Sequence, residues 1–576
     1  MFLPSSFSTG DKPGTHRKLS SAPSLRILIV ITSFLSQRAC MQQNSDRIFV
    51  NGTIWTGDAD NPWAEAIALR GETITIVGST HDVRANTDPG TDVIDLKGAF
   101  TVPGFIDNHT HFLTGGFQLV SVDLRTSSSQ PEFTDRIDGF IETIPDGRWV
   151  LGGAWDHEAW GGELPTKEWI DAFSKHNPVF VTRLDLHMGL ANSVALQRAG
   201  ITDGTPDPAG GTIVRDPSTG VATGVLKDEA MALVYKVIPQ PSQDEYDESL
   251  ARAISHAFSM GVTQIHDVGS FGGWADLETF QRAYKSGNFG VRIYSFVPLS
   301  TSDRLRSYMD ENGSGDHWLW WGGVKGFVDG SLGSTTAWFF EPYEDAKETT
   351  GLLVTDSTTI KNQILAADSQ GLQLAVHAIG DRANDWLLTV FEELNTQNGE
   401  RDRRLRIEHA QHLTRSSIER FRDLDVTASM QPYHAIDDGR WAEKRIGAER
   451  IKTTYAFRSL LSAGVNLTFG SDWTVAPLDP LAGIYAAVTR KTIDGANPDG
   501  WVPEQKIGLE DALRAYTSNA AYAGFSEDRT GILRAEYLAD LVMLSHNLFE
   551  INPESIESVE VQRTVVGGKD KFVRGQ

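Results

Sequence analysis

This 576-residue sequence predicts an α/β fold: a (β/α)8 TIM-type barrel with a small β-sandwich made from both chain ends and an insertion. Three observations predict it. Short apolar strands alternate with helical stretches through the middle of the chain. Strand-and-turn patterns occupy both ends, and the regular rhythm lapses between about residues 120 and 255. Alternation of strand and helix implies a parallel sheet, and in a barrel every strand opens its C-terminal end on one face.

Residues 1–40 form a signal-like leader, in which Lys12, Arg17, Lys18 and Arg26 precede an apolar stretch from Ile27 to Leu35. That stretch is too short to anchor across a bilayer. Ala39-Cys40 supplies a lipoprotein-type processing point. The expectation is therefore export, periplasmic or attached to a membrane by lipid on Cys40; the alternative is a leader on a cytoplasmic enzyme. Residues 46–98 give the first part of the sandwich. Arg47 to Val50 turns at Asn51-Gly52 into Thr53 to Thr56, a hairpin signal, and Ala64 to Arg70 turns into Thr73 to Val77. Residues 531–576 give the second part, with Ala539 to Leu544 and Val559 to Gly568 as short strands. Between them, residues 99–530 hold the barrel. Its candidate strands include Phe100 to Asp107, Gly261 to Asp267, Gly323 to Asp329, Leu372 to His377, Arg404 to His409 and Val465 to Gly470.

Composition narrows the function. A net charge of −24 lacks the basic footprint that phosphate binding needs, so a nucleic-acid partner is excluded and a small-molecule substrate is expected. Cys40 is the one cysteine, which excludes intrachain disulfides and a cysteine-built metal site. Histidine and carboxylate are then the available ligands. His109 and His111 follow the first barrel strand, and residues two apart on extended chain point to one side, toward one metal. Alone, that pair reads equally as two surface histidines. His377, His409 and Asp472 also end apolar strands, and packing gives no reason for this to recur. The set suits a divalent metal, zinc first, with manganese, iron and cobalt as alternatives.

The segments Pro103 to His111, Val324 to Ser331, His377 to Asp381, Arg406 to His409 and Gly470 to Trp473 resemble the amidohydrolase superfamily. Their order and spacing are most similar to its amidohydrolase-3 branch, the YtcJ-like and N-substituted formamide deformylase-like proteins, from about residue 46 onward. The resemblance implies one or two metals at the barrel mouth, His109 and His111 on one side and His377 and His409 on the other. It implies Lys325 as a carbamylated bridge and Asp472 as ligand and proton shuttle. The implied activity is metal-dependent hydrolysis of a non-peptide C–N bond, amide or formamide in type, by a metal-activated water. A deaminase, an esterase or a non-catalytic amidohydrolase-like binding protein are the alternatives. From the residues alone, Lys325 is costly to bury as a cation, and its other reading is an ammonium paired with Asp329. Asp472 also fits a helix N-cap. Asp107 and Glu408 are candidates to orient ligands. Trp155, Trp160 and His187, in the insertion, either contact substrate or form the core of that insertion. His266 reads as a packed histidine, and His412 and His434 are left without a role.

Overall fold

A computed structural model describes residues 45–575, apart from 184–187, 209–210, 229 and 270–272. The leader, with the processing and lipid attachment expected at Cys40, lies outside the described residues, as does His187. Among the described residues no helix is long and apolar enough to cross a membrane.

Eight parallel strands form the barrel sheet: β1 (Phe105–Thr110), β2 (Val262–Asp267), β3 (Arg292–Pro298), β4 (Leu319–Phe327), β5 (Gln373–Ala378), β6 (Arg406–His409), β7 (Thr427–Met430) and β8 (Leu467–Phe469). Each pairs with its sequence neighbours, in the order β8 to β1 across the sheet. β1, β2 and β5 are buried along their whole length, because a parallel sheet wrapped in helices leaves neither face to solvent. Helices such as Ala275–Ser286, Ser357–Ser369 and Asp381–Asn398 return the chain between strands. Past β8 the chain closes the ring against β1: the Asp472 N–H donates to the His109 carbonyl at 2.8 Å, and the His111 N–H to that of Trp473 at 2.9 Å. A Cβ at Gly470 would stand 2.4 Å from the His109 nitrogen, so only glycine permits this approach.

Both chain ends build the flanking sandwich. One sheet orders Lys569–Val573, Val561–Val566, Leu541–Leu544, Phe100–Pro103, Thr53–Trp55 and Trp63–Ala64; the other orders Thr73–Gly78, Ala66–Arg70, Arg47–Val50 and Asp92–Asp95. Phe49, Ile67 and Leu69 of the second sheet pack with Ile54, Leu541 and Val565 of the first. Two sequence expectations change here. The Asn51-Gly52 turn joins strands of different sheets and is not a hairpin, because Arg47–Val50 finds its partners in Ala66–Arg70 and Asp92–Asp95. The run Phe100 to Asp107 is two strands. Phe100–Pro103 pairs with Leu541–Leu544 in the sandwich, and β1 starts only after Gly104, where any side chain would strike Thr263.

The insertion carries its own six-stranded sheet, from Val122–Asp123 to Ala222–Asp228 in sequence. The helix Gln243–Ser259, at the end of the stretch read as insertion, packs instead on Phe112–Leu119 as barrel wall. A Cβ at Gly116 would lie 2.2 Å from the Ser249 carbonyl oxygen, so the two helices meet at their backbones.

Candidate metal centre

The strand ends bring His109, His111, Lys325, His377, His409 and Asp472 to one mouth of the barrel. His109 ends β1 fully buried; its Nδ1 donates to Glu408, and its Nε2 has no protein partner. That free nitrogen lies 3.6 Å from Asp472 Oδ1, and His111 Nε2 lies 3.3 Å from the same oxygen. The His111 Nδ1–H donates to the Gly269 carbonyl at 2.5 Å. His409 Nδ1 donates to Gln431 Oε1 at 2.8 Å and stands 3.8 Å from Asp472 Oδ2. His377 Nε2 donates to the Gly330 carbonyl at 3.1 Å, and its ring centroid is 4.5 Å from that of His409. Oxygen acceptors thus set the tautomers of His109, His377 and His409 and leave the other nitrogen of each with a lone pair, the form a metal requires. His109, His409 and Asp472 each offer one atom within 4.8 Å of the others, a candidate metal site.

Electrostatics agree with that chemistry. Burial, reinforced by the Lys325 cation, pushes His109 down to about 4 and His377 to about 3, so both are neutral at pH 7. Burial opposes ionisation of Asp472, yet the His111 hydrogen bond and the surrounding imidazoles hold its carboxyl well below the usual range. Glu408 is held down in the same way, against burial, by Arg406 and His109. Arg406 donates to Glu408 at 2.7 and 3.1 Å and Ser429 adds a bond at 2.6 Å, so the carboxylate that orients His109 is itself fixed. Lys325, on β4, is 4% exposed, and its Nζ has no hydrogen-bonding partner. Burial brings its pKa down to about 8, and the charges that bear on it include Glu408 and Asp472. It does not pair with Asp329, whose carboxylate instead accepts the N–H groups of Trp338, Ile379 and Gly380 at 2.8 to 3.0 Å. Backbone strain marks the same place: His409 and Asp472 have φ of 75° and 56°, left-handed values that non-glycine residues adopt rarely.

A profile of the amidohydrolase family matches residues 92–570. The chain belongs to the amidohydrolase family. It is 42% identical over 538 residues to Protein LONG AFTER FAR-RED 3 of Arabidopsis thaliana, 92% of each chain being covered. It is 29% identical over 553 residues to the N-substituted formamide deformylase of Arthrobacter pascens, covering 93% of this chain and 99% of that one. The crystal structure of an uncharacterized metal-dependent hydrolase from Pyrococcus horikoshii superposes with a TM-score of 0.73 at 28% identity, over 88% of this chain and 99% of the other.

In this amidohydrolase the tryptophans of the insertion pack among its own residues. Trp155 is fully buried, donates its indole N–H to the Val181 carbonyl at 2.9 Å and packs on Phe133 and Trp160, so it is core of the insertion. Trp160 belongs to the same aromatic cluster and donates to the Glu163 carbonyl at 2.8 Å. An aromatic residue between glycine turns carries no sequence mark that separates a pocket wall from a core. His266 is a packed histidine, bonded to Asn108 Oδ1 at 3.0 Å. His434, left without a role by the sequence, reaches the centre from just after β7, as does Gln431, which carries no sequence signal because a glutamine off the strand-end pattern gives none without the fold.

Proposed function

We propose that this chain is a metal-dependent hydrolase that cleaves a non-peptide C–N bond of amide or formamide type. The observation that carries the reading is a buried cluster around Asp472 in which His109 Nε2 and Lys325 Nζ lack hydrogen-bonding partners. Groups so placed are costly unless something completes them, and a cation fits this donor set. His109, His111, His377, His409 and Asp472 would hold one or two divalent ions, zinc being the first expectation. Lys325 would bridge them once its amine has added to CO2 with loss of a proton, a step that its lowered pKa favours. A bound ion supplies Lewis acidity and a water whose pKa drops to ~7. Asp472 takes the proton of the attacking water and passes it to the leaving nitrogen. Glu408 keeps the His109 ring turned toward the ligand side. The relative named N-substituted formamide deformylase supports the bond type, and the export suggested by the leader is part of the same proposal.

The test is elemental analysis of purified protein, followed by turnover of N-formyl and N-acyl amines before and after chelation. One or two transition-metal ions per chain, and activity lost with them, are expected. Full activity in metal-free protein would overturn the reading. Mass spectrometry of protein from its native host should find a terminus near Cys40; an intact Met1 would remove the export proposal.

A further inference from the structure

We infer that His434 contacts the substrate, donating from Nε2 to the acyl oxygen at the bond being cut; the inference rests on the hydrolase reading above. His434 lies on the short helix Pro432–Asp438 that follows β7, and its side chain is buried. Its Nε2 has no protein partner and lies 4.0 Å from Asp472 Oδ2. That distance is too long for a direct hydrogen bond, so the nitrogen's hydrogen-bonding capacity is left for a ligand. The nitrogen is not among the atoms of His109, His409 and Asp472 that gather within 4.8 Å of one another. Beside an ionised carboxylate the tautomer with hydrogen on Nε2 is favoured, which makes the group a donor aimed at the reacting centre.

The surroundings hold this helix in place. Pro432 opens the helix directly after Gln431, whose amide oxygen accepts from His409. His434 falls three residues after Gln431, in the helix's first turn. One turn later Asp438 accepts the Tyr455 hydroxyl at 2.6 Å, and the Tyr455 carbonyl in turn accepts from buried Arg490 at 3.0 Å. Gly439 packs so closely on Thr492 that a Cβ would come to 2.7 Å. The charged groups facing His434 are Asp472 across the gap and Asp438 on its own helix. A donor fixed in this way before substrate arrives is what stabilisation of a developing oxyanion requires.

The experiment compares His434→Phe and His434→Gln with the wild type, all metal-loaded and matched by thermal melting. It reads metal content, the Kd of acetohydroxamate by calorimetry, and kcat and KM for N-phenylformamide. His434→Phe should keep its metal, bind acetohydroxamate about tenfold more weakly and lose roughly 10²–10³ in kcat, with a smaller change in KM. His434→Gln, which retains an N–H, should recover part of both losses, and it carries the test if the Phe variant does not fold. Unchanged affinity and kcat in a fully metallated His434→Phe, or in His434→Gln alone with no loss at all, overturns the assignment. Loss of metal in either variant also overturns it, since His434 would then be a ligand. Wild-type protein that holds no metal and binds no hydroxamate overturns the hydrolase reading itself, and this inference with it.

Discussion

Two regions of this amidohydrolase bury charge in opposite ways. Where the barrel meets the sandwich, Arg292 is fully buried, and its Nε and Nη2 donate to the Asp540 carboxylate at 2.6 and 2.9 Å. Its Nη1 donates to the His317 carbonyl at 3.0 Å, its plane covers Trp318, and Asp540 accepts a further bond from the Gly567 N–H at 2.8 Å. Nothing there is left to bind. At the mouth, Lys325 and His109 are as deeply buried, and each keeps a nitrogen without a hydrogen-bonding partner. A satisfied buried network holds the fold in register; an unsatisfied one is kept for a ligand, because desolvation without a partner is destabilising.

Substitutions can break that comparison. The largest effect is expected from Lys325→Ala: metal and turnover should fall together to the level of chelated protein, and added acetate or formate should restore part of both. Elemental analysis beside an activity assay checks this, and unchanged values would make Lys325 an ordinary buried amine. Next, Asp472→Asn should retain much of the metal while kcat drops by ~10²–10⁴, as expected for a proton-transfer group. Near-normal turnover would take Asp472 out of the chemistry. Arg292→Met should do the reverse. It leaves Asp540 buried without its cation and should cost about 3–5 kcal/mol in urea unfolding, with metal content per folded chain unchanged.

The smallest effect concerns His412, a buried imidazole bonded to Thr454 at 2.9 Å and placed on Phe339, off the metal cluster. Burial, with Arg450 nearby, lowers its pKa from 6.5 to about 3. The folded state therefore resists protonating it: its contribution is complete above pH ~6.5 and is lost as pH falls toward ~3. His412→Gln should flatten the loss of stability between those limits, whether or not metal is bound. Parallel pH profiles for variant and wild type would argue against this origin.

How much was legible depended on the range of the interactions. Two imidazoles two residues apart on extended chain share a face whatever lies around them, so His109 and His111 could be paired from the sequence. His377, His409 and Asp472 were legible because each interrupts an apolar run at its end. Strands β3 and β7, Arg292–Pro298 and Thr427–Met430, are not among the strands read from the sequence, and neither ends in a histidine or aspartate that would mark it. The Asn51-Gly52 turn was legible as a turn but not as a crossing between sheets, because pairing is settled by residues about 20 to 45 positions away, in Ala66–Arg70 and Asp92–Asp95.

By itself, then, the sequence determined the alternation that makes a barrel, the sharing of the sandwich between both ends, and the residue types that gather at the mouth. Those follow from local periodicity and from side-chain chemistry, which act within a few residues. Only the tertiary structure decided that Glu408, itself pinned by Arg406, orients His109, that Gln431 holds His409, and that His434 is left facing Asp472. The bond between Glu408 and His109 joins β6 to β1 across the ring, the others join the same or neighbouring strand ends, and all depend on residues that only the closed barrel brings together.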